Sequence, residues 1–559
     1  GPNMPATLPL PIGNTDYKET CSENYYVDKT LLIKDLLDEN LKIVLFTRPR
    51  RFGKTLNMDM LRTFFEKTAD DNSQYFTNKR IWQQGERYTK HQGKYPVIFI
   101  TLKDVRARNW STALDMLKFV IRTEFARHKE LLNSQAVSLT DQAIYNKIIM
   151  DTARDSEYRF SLQVLCRMLH AHHQVKPIII VDEYDTPVQE GYMNAYYDDA
   201  IDFIRSFFSA ALKDNPHLMM SILTGILRIA KESIFSGLNN VRVFSVLDTK
   251  FSSYFGFTTD EITAMASYYN KAEKISEIKE WYDGYRFGAN EIFNPWSVLN
   301  YFSNDCQPIP YWVRTSENAI IKEILKLPTE STYQNLTRLM DGASIKSNVE
   351  TDIIYPKLKD PQANILGFLL MTGYLKATEI TPNLEGIYEC NLEIPNKELR
   401  SVYRREILAL LKEKAGENTV IRLQDALLSK NTEQIKLTLG DFLIKTVSFF
   451  DGLQENYYHG LILGLVTILE NTHKLLSNRE SGDGRYDIQL EPKSSELPGI
   501  IIELKSTNKA SANLSYLATT AYNQILTKKY DTELLARNVH TIYKYGIAFR
   551  GKEAEVVSD

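Results

Sequence analysis

Residues 41–55 read LKIVLFTRPRRFGKT, and this stretch decides the fold of the first half of the chain. Its apolar part, 41–47, is rich in strand-forming residues, and the sequence after Thr55 has the periodicity of a helix. A strand, a loop and a helix in this order are the layout of a phosphate-binding loop, in which backbone N–H groups and the helix N-terminus surround the phosphates. Gly53 closes the loop, Lys54 is expected to reach the outer phosphates of ATP, and the Thr55 hydroxyl is expected to bind Mg²⁺.

A second strand carries the acidic residues that such a loop requires. Residues 177–186 read PIIIVDEYDT, so an apolar run ends in Asp182 and Glu183. Asp182 is expected to hold Mg²⁺ through its water shell, and Glu183 to orient or deprotonate the attacking water during phosphoryl transfer. Asp185 is a candidate supporting group. The alternative is a buried strand whose acidic end only meets solvent, and it loses weight because GKT occurs in the expected context.

Two further strands predict the fold class. PVIFITL at 96–102 and LMMSILTG at 218–225 occur among helical stretches. This alternation predicts an α/β P-loop fold with a parallel sheet, helices on both faces and the ligand at the carboxyl ends of the strands. Thr224 ends the last of these strands and is a candidate cofactor-binding residue that senses the γ-phosphate. Arg228 is a weaker candidate, since a solvated helix start explains it at least as well.

Three arginines accompany the loop. Arg48 stands where the motif G-x-x-x-x-G-K-[ST] has its first glycine, and Arg50 and Arg51 follow. We expect these side chains to contribute positive charge to phosphate binding. A loop beside an anion tolerates arginines in any case, so the expectation is limited to binding.

The C-terminal region presents a second group of charged residues on strands. The segment 482–492 reads GDGRYDIQLEP and 498–507 reads PGIIIELKST. Glu503 and Lys505 are two residues apart, so in an extended strand both point to the same face, which is costly unless they meet a ligand. With Asp487 they would form a site in which carboxylates bind one or two divalent cations and the lysine stabilises negative charge. The pattern E-x-K alone is common on half-buried strands.

Composition limits the remaining possibilities. The chain has 559 residues, 43% of them hydrophobic, and a net charge of -3, so no overall positive field attracts nucleic acid and any such contact requires a local basic groove. Four scattered cysteines and the lack of a long apolar run predict a cytoplasmic protein without membrane contact. Residues 257–430 are predicted to be mainly helical. Their aromatic side chains, including Trp281, Tyr285 and Trp296, are expected to form core rather than to stack on bases.

These segments together resemble a known family. RPRRFGKT, IIIVDEYDTPV and LTGILRIAKESIFSGLNN, with WYDGYRFG at 281–288 and NPWSVLNYF at 294–302, look like the AAA-ATPase-like family of bacterial proteins. YYVDKT at 25–30 fits the same pattern. In that family arginine-rich loops replace the first P-loop glycine, so the resemblance explains Arg48.

The last 130 or so residues resemble the PD-(D/E)XK nuclease superfamily member that is commonly fused to such a domain. Asp487, fifteen residues and then Glu503-x-Lys505 reproduce its motif, flanked by helical segments at 456–469 and 521–530. The resemblance implies that Asp487, Glu503 and Lys505 are catalytic, that the two carboxylates bind metal, and that Glu480 and Gln524 are auxiliary catalytic residues. Tyr486 stands where the superfamily has its leading proline.

The sequence therefore predicts three domains: a P-loop domain at 7–256, a mainly helical middle or lid domain at 257–430, and an α/β restriction-endonuclease-like domain at 431–559. The predicted function is that ATP binding or hydrolysis controls a Mg²⁺- or Mn²⁺-dependent nuclease acting on DNA or RNA, with DNA favoured. The alternative is a nucleotide-switched scaffold whose nuclease fold is inactive and binds nucleic acid or protein. A DNA-remodelling motor would need helicase motifs that the sequence does not show. A homo-oligomer is left open.

Overall fold

The computed structural model describes residues 7–229, 234–235, 240–314, 335–336, 338–340, 342–353, 365–383, 387–450, 464–481 and 485–559. The chain forms two compact units. The first consists of Gly1–Tyr311, Lys346–Asp360 and Leu366–Lys397, and the second of Trp312–Ile345, Pro361–Ile365 and Glu398–Asp559. The domain boundaries at 256 and 430 stay a prediction.

The elements up to residue 393 alternate between helices and short strands. The strands are β1 (Ile43–Thr47), β2 (Val97–Thr101), β3 (Ile178–Asp182), β4 (Met220–Gly225), β5 (Arg228–Ile229), β6 (Val241–Phe244), β7 (Phe257–Thr258), β8 (Tyr285–Phe287), β9 (Asn290–Phe293), β10 (Ile345–Val349), β11 (Asp352–Ile353), β12 (Lys376–Pro382) and β13 (Tyr388–Glu393). The α-helices are α1 (Tyr17–Glu23), α2 (Leu31–Glu39), α3 (Lys54–Phe65), α4 (Glu86–Thr89), α5 (Trp110–Arg127), α6 (Leu139–Ile149), α7 (Asp155–Arg159), α8 (Ser161–His173), α9 (Thr186–Met193), α10 (Tyr197–Leu212), α11 (Thr259–Tyr268), α12 (Ile275–Tyr282), α13 (Pro295–Ser303) and α14 (Ile365–Met371). Short 3₁₀ helices lie at Asn72–Tyr75, Arg80–Gln84, Lys129–Leu131, Ser252–Tyr254, Ala272–Lys274 and Tyr311–Arg314.

The main sheet of the first unit has five parallel strands in the order β2-β3-β4-β1-β6. Every residue of β1, β3 and β4 is buried, which explains their nearly continuous apolar sequences, because a parallel sheet is covered on both faces. The predicted α/β class with a parallel sheet is confirmed, and the four predicted strands occur at the predicted places. β4 lies between β1 and β3, so the strand that carries Thr224 next to its last residue separates the phosphate loop from the acidic strand.

The described part of the middle of the chain is mainly helical, as predicted, but it also contains the small sheets β7-β9-β8 and β10-β13-β12, and its strand β11 pairs with the earlier β5. The stretch 275–287 is not a single helix. Its helix ends at Tyr282, and residues 285–287 form β8. Gly284 has a φ of 111° and a side chain there would collide with the Pro395 carbonyl, so the backbone leaves the helix at this point. Tyr285 and Phe287 are core residues, as predicted.

From Glu398 onward, the described residues of the second unit form three helices followed by a mixed α/β layer. Its elements are α15 (Lys397–Ala415), α16 (Glu417–Ser429), α17 (Thr432–Phe450), β14 (His473–Ser481), β15 (Arg485–Pro492), β16 (Gly499–Ser506), α18 (Leu514–Thr527), α19 (Thr532–Ala536), β17 (Ile542–Arg550) and β18 (Glu553–Val557). Of the helix predicted at 456–469, residues 464–469 are helical and 456–463 lie outside the described residues.

The five strands of this unit form one sheet in the order β14-β15-β16-β17-β18. Only the pair β16-β17 is parallel, and α18 connects these two strands and packs on both of them. The contact is close, because a side chain at Gly546 of β17 would collide with the Ala518 carbonyl of α18. The predicted C-terminal α/β fold is confirmed.

Candidate active sites

The phosphate loop connects β1 to α3 and holds its lysine in a fixed position. Gly53, with a φ of 81°, precedes the first residue of α3, and Arg51 is also left-handed, with a φ of 69°. The Lys54 Nζ atom donates a hydrogen bond of 2.7 Å to the Arg48 carbonyl and lies 2.9 Å from Glu183 Oε1. The predicted lysine and the predicted catalytic glutamate are thus in direct contact.

Asp182 collects hydroxyl groups from three neighbouring elements. Its Oδ2 atom accepts hydrogen bonds from Thr55 Oγ1 at 2.8 Å and from Thr101 Oγ1 at 3.0 Å, and its Oδ1 atom accepts one from Thr224 Oγ1 at 3.0 Å. The sheet order explains this geometry, because the parallel strands β2, β3 and β4 end at the same edge, where α3 begins. Thr101 was missed by the sequence analysis, although it ends a recognised strand in the same way as Thr224.

The environment of Asp182 is suited to a cation. Complete burial and the neighbouring Glu183 carboxylate raise the pKa of Asp182 to about 6, while the hydrogen bond from Thr55 acts in the opposite direction. The Thr55 hydroxyl and the Asp182 carboxylate lie 2.8 Å apart, and both are the hard oxygen ligands that Mg²⁺ prefers. The residues present therefore fit the Mg²⁺ that accompanies a nucleotide.

Asp185 supports the loop that follows β4. Its carboxylate accepts hydrogen bonds from the backbone N–H groups of Ile226 and Leu227, at 3.1 and 2.9 Å, and from Gln189 Nε2 at 2.8 Å. Burial raises the pKa of Asp185 to about 6. The side chain thus fixes the backbone just after Thr224.

The three arginines have three different positions. The Arg48 guanidinium is completely buried, donates to the carbonyls of Thr47 and Phe244, each at 2.7 Å, and lies over the rings of Phe255 and Phe287. This corrects our expectation for Arg48: its side chain stabilises the core, where burial lowers its pKa to about 9, and does not face the phosphate position.

The other two arginines stay beside the loop. Arg50 donates to Gln189 Oε1 at 3.0 Å, and the Arg51 guanidinium lies 4.3 Å from the centre of the Trp296 ring. Arg228 is not at a helix start but in β5, opposite Asp352 of β11. Arg50 and Arg51 therefore stay candidates for contributing charge to phosphate binding.

The C-terminal residues meet on two adjacent antiparallel strands. Asp487 of β15 is directly opposite Glu503 of β16, so their Cβ atoms lie on the same face about 5 Å apart. Lys505 follows on that face and pairs in register with Arg485. Glu503 is 2% exposed and Lys505 is 9% exposed. The sheet thus brings the three predicted catalytic residues together.

For the two predicted auxiliary residues, Gln524 and Glu480, the structure gives fewer contacts. Gln524 lies on α18, and its buried Oε1 atom accepts no hydrogen bond from any residue that the structure describes. A buried acceptor of this kind is a candidate ligand for a cation. The backbone of Glu480 in β14 pairs with Tyr486, whereas its side chain lies outside the described residues.

Fold and sites define a P-loop nucleotide-binding unit and a nuclease-type unit in one chain. Comparison with known proteins agrees: residues 11–235 match the family model described as "Predicted AAA-ATPase", and residues 453–559 match the PD-(D/E)XK nuclease superfamily. The chain carries an AAA-ATPase-like domain followed by a PD-(D/E)XK nuclease superfamily domain.

A relative without an assigned activity covers most of the chain. It is a protein of Azotobacter chroococcum mcd 1 described as "Uncharacterized protein in vnfD 5'region", and it is 27% identical over 402 residues, which cover 71% of this chain and 70% of that protein. No solved structure matches the chain significantly. Within the described residues, no helix is long and apolar enough to cross a membrane.

Proposed function

We propose that the protein binds and hydrolyses ATP, and that its nucleotide state controls a divalent-metal-dependent nuclease that acts on DNA or RNA. The observation that carries this proposal is that one chain holds both sets of residues. Lys54, Thr55, Asp182 and Glu183 are in contact at one sheet edge, and Asp487 faces Glu503 in another sheet.

The contacts of the first site suggest how binding leads to hydrolysis. Lys54 now neutralises Glu183 at 2.9 Å, and the outer phosphates of ATP would compete for the lysine. Glu183 would then be released to orient a water molecule, while Thr224 stays fixed to Asp182. Mg²⁺ held by Thr55 and Asp182 would neutralise charge on the phosphates. Arg50 and Arg51 would add positive charge at the loop.

The second site suggests phosphodiester cleavage. Asp487 and Glu503 would hold one or two divalent cations, Mg²⁺ or Mn²⁺, which would activate water and polarise the scissile phosphate. Lys505 would stabilise the negative charge that develops there, with Gln524 and Glu480 as auxiliary groups. Lys509 and Lys528, near the ends of β16 and α18, could contact the backbone of a nucleic acid.

A nuclease assay tests the proposal. Purified protein is expected to cut plasmid or single-stranded DNA with Mn²⁺ or Mg²⁺. Asp487→Ala and Lys505→Ala should abolish cleavage, since they remove a metal ligand and a stabilising charge, and both should leave ATP binding intact. Lys552→Ala is the matched control for Lys505→Ala, because Lys552 is an exposed lysine in the turn between β17 and β18 with no proposed role, and it should retain cleavage.

A second candidate function is a nucleotide-switched scaffold whose nuclease fold is inactive and binds nucleic acid or protein. The burial of Glu503 and Lys505, at 2% and 9% exposure, favours it, because a substrate phosphate must reach these groups. This candidate replaces the first if the wild-type protein leaves every DNA and RNA substrate uncut with either metal.

A further inference from the structure

A cavity of about 210 Å³ opens beside the phosphate loop. Loop residues from Arg51 to Asn57 and the Glu183 side chain line one part of it. The remainder is largely aromatic and apolar, with contributions from Tyr25, Phe257 and Trp296. A molecule bound to the loop by its phosphates would thus find an apolar space directly beside them.

Part of this cavity comes from residues beyond the matched ATPase region. That match ends at residue 235, whereas Tyr254, Phe257 and Trp296 lie further along the chain. Polar contacts connect the segment around Tyr254 to the rest of the site: Asn57 of α3 donates to the Tyr254 carbonyl at 2.7 Å, and Lys29 Nζ donates to Glu261 Oε1 at 2.6 Å. Lys29 also donates to the Ser253 carbonyl at 2.7 Å. The N-terminal part of the cavity lining is therefore hydrogen-bonded to the chain segment just before Tyr254.

Among the residues that line the cavity, Trp296 is the best suited to bind a ligand. Asn294 caps α13 by accepting a hydrogen bond from the Ser297 N–H, and Pro295 begins the helix, so the position of Trp296 is set by the helix start. Its buried Nε1 atom has no hydrogen-bond partner in the described part of the chain. The Arg51 guanidinium lies 4.3 Å from the ring centre, within the range of a cation–π contact with the indole.

We propose that this cavity binds the purine base of the nucleotide and that Trp296 determines the preference for it. The proposal rests on ATP binding at the loop, as proposed above. A planar base stacks well on an indole, and purine ring nitrogens accept hydrogen bonds, so a base would satisfy the buried Trp296 N–H. Trp296 also packs against a core cluster, as expected, and base binding would be a second role for it. The ATP site then includes residues far beyond the phosphate loop and its family match.

Equilibrium binding of ATP, CTP and tripolyphosphate to the full-length protein with Mg²⁺ tests this proposal. Wild type should bind ATP more tightly than CTP or tripolyphosphate. Trp296→Ala should weaken ATP binding about tenfold or more, since base–aromatic stacking contributes roughly 1–3 kcal/mol, and should leave tripolyphosphate binding unchanged. Trp296→Phe keeps a ring but lacks the N–H and should give an intermediate loss. Trp281→Ala is the matched control, because Trp281 is a partly buried tryptophan of the same region that does not line the cavity.

Three results would overturn the proposal. The first is wild type binding ATP no more tightly than tripolyphosphate, and the second is Trp296→Ala binding ATP as wild type does. The third is an equal loss of ATP and tripolyphosphate affinity, which would indicate a disturbed loop. If wild type binds neither compound, the proposed ATP binding itself fails and the base pocket fails with it, a pattern that differs from the other three.

Discussion

Asp182 is the residue of the phosphate site whose negative charge is the most costly to bury. It is a completely buried carboxylate, and the three hydroxyl groups that contact it carry no charge. Lys54 is directed at Glu183 instead. The hydroxyl groups and Lys54 offset only part of the cost of burying the Asp182 charge, so both a cation and a proton would be favoured at this carboxylate.

This burial predicts a pH effect on stability. The pKa of Asp182 is about 6 in the folded chain against an ordinary value of 3.8, so between these pH values the folded state binds more protons and loses stability as the pH rises. Without nucleotide, Asp182→Asn should be more stable than wild type at pH 7.5, by at most about 3 kcal/mol, and the difference should shrink as the pH falls through 6 towards 4. Urea unfolding across this range measures it. Asp104→Asn, at an exposed position, is the control, and a difference for Asp182→Asn that is constant with pH would contradict the prediction.

Arg48 shows how this loop works without its first glycine. The Arg48 backbone N–H donates to the Gly225 carbonyl at 3.0 Å, and its carbonyl accepts from Lys54, so the backbone still serves the loop. Its side chain points away from the loop and packs against the rings of Phe255 and Phe287. The residue that breaks the motif therefore anchors the loop to the core.

At the scale of elements, the junction of β3 and β4 determines the geometry of the site. Tyr184 and Asp185 lie against the end of β4, where the Tyr184 hydroxyl donates to the Leu227 carbonyl at 2.5 Å and Asp185 holds the next two backbone N–H groups. Gly225 makes this approach possible, because a Cβ atom there would lie 2.6 Å from the Tyr184 ring and 2.7 Å from an Asp185 oxygen.

Gly225→Ala should therefore destabilise the first unit by about 1–3 kcal/mol and displace the loop after Thr224, since both neighbours are buried and cannot move aside freely. Thermal unfolding should show a lower midpoint, and ATP hydrolysis should slow. Gly440→Ala is the matched control: in α17 the added methyl group meets nothing within 4 Å, and the helix should gain up to about 1 kcal/mol. Equal midpoints for Gly225→Ala and wild type would refute the close contact.

At the scale of the whole molecule, the chain passes between its two units more than once. After entering the second unit at Trp312, it returns to the first for residues 346–360 and 366–397. Within the first unit, β11 from one of these returning segments pairs with β5, which follows Thr224 by a few residues. The loop that Asp185 fixes is thus connected to a segment whose neighbours in sequence belong to the second unit.

This connection gives a test of control by nucleotide. Lys54→Ala should lose ATP binding and represent the empty state, whereas Glu183→Gln should bind ATP without turning it over and represent the loaded state. We expect their rates of DNA cleavage in the presence of ATP to differ several-fold, with wild type responding to added ATP. Rapid hydrolysis by Glu183→Gln would remove that residue from its proposed role. Identical cleavage by both variants, with and without ATP, would show that the two sites act independently.

The sequence by itself determined the local parts of this protein. An apolar run followed by Gly53-Lys54-Thr55, and another that ends in Asp182-Glu183, predict strand, loop and acidic edge, because strand burial and a left-handed glycine leave their marks within a few residues. The spacing of Glu503 and Lys505 predicts a shared face for the same reason, since side chains alternate along a strand.

Only the tertiary structure decided which distant residues meet. The order of strands brings Thr101 and Thr224 to Asp182, the register of two strands puts Asp487 opposite Glu503, and packing directs the Arg48 side chain into the core. Trp296 reaches the phosphate loop from more than two hundred residues away. Such meetings depend on sheet order and on packing between elements, and neither leaves a periodic or local pattern in the sequence.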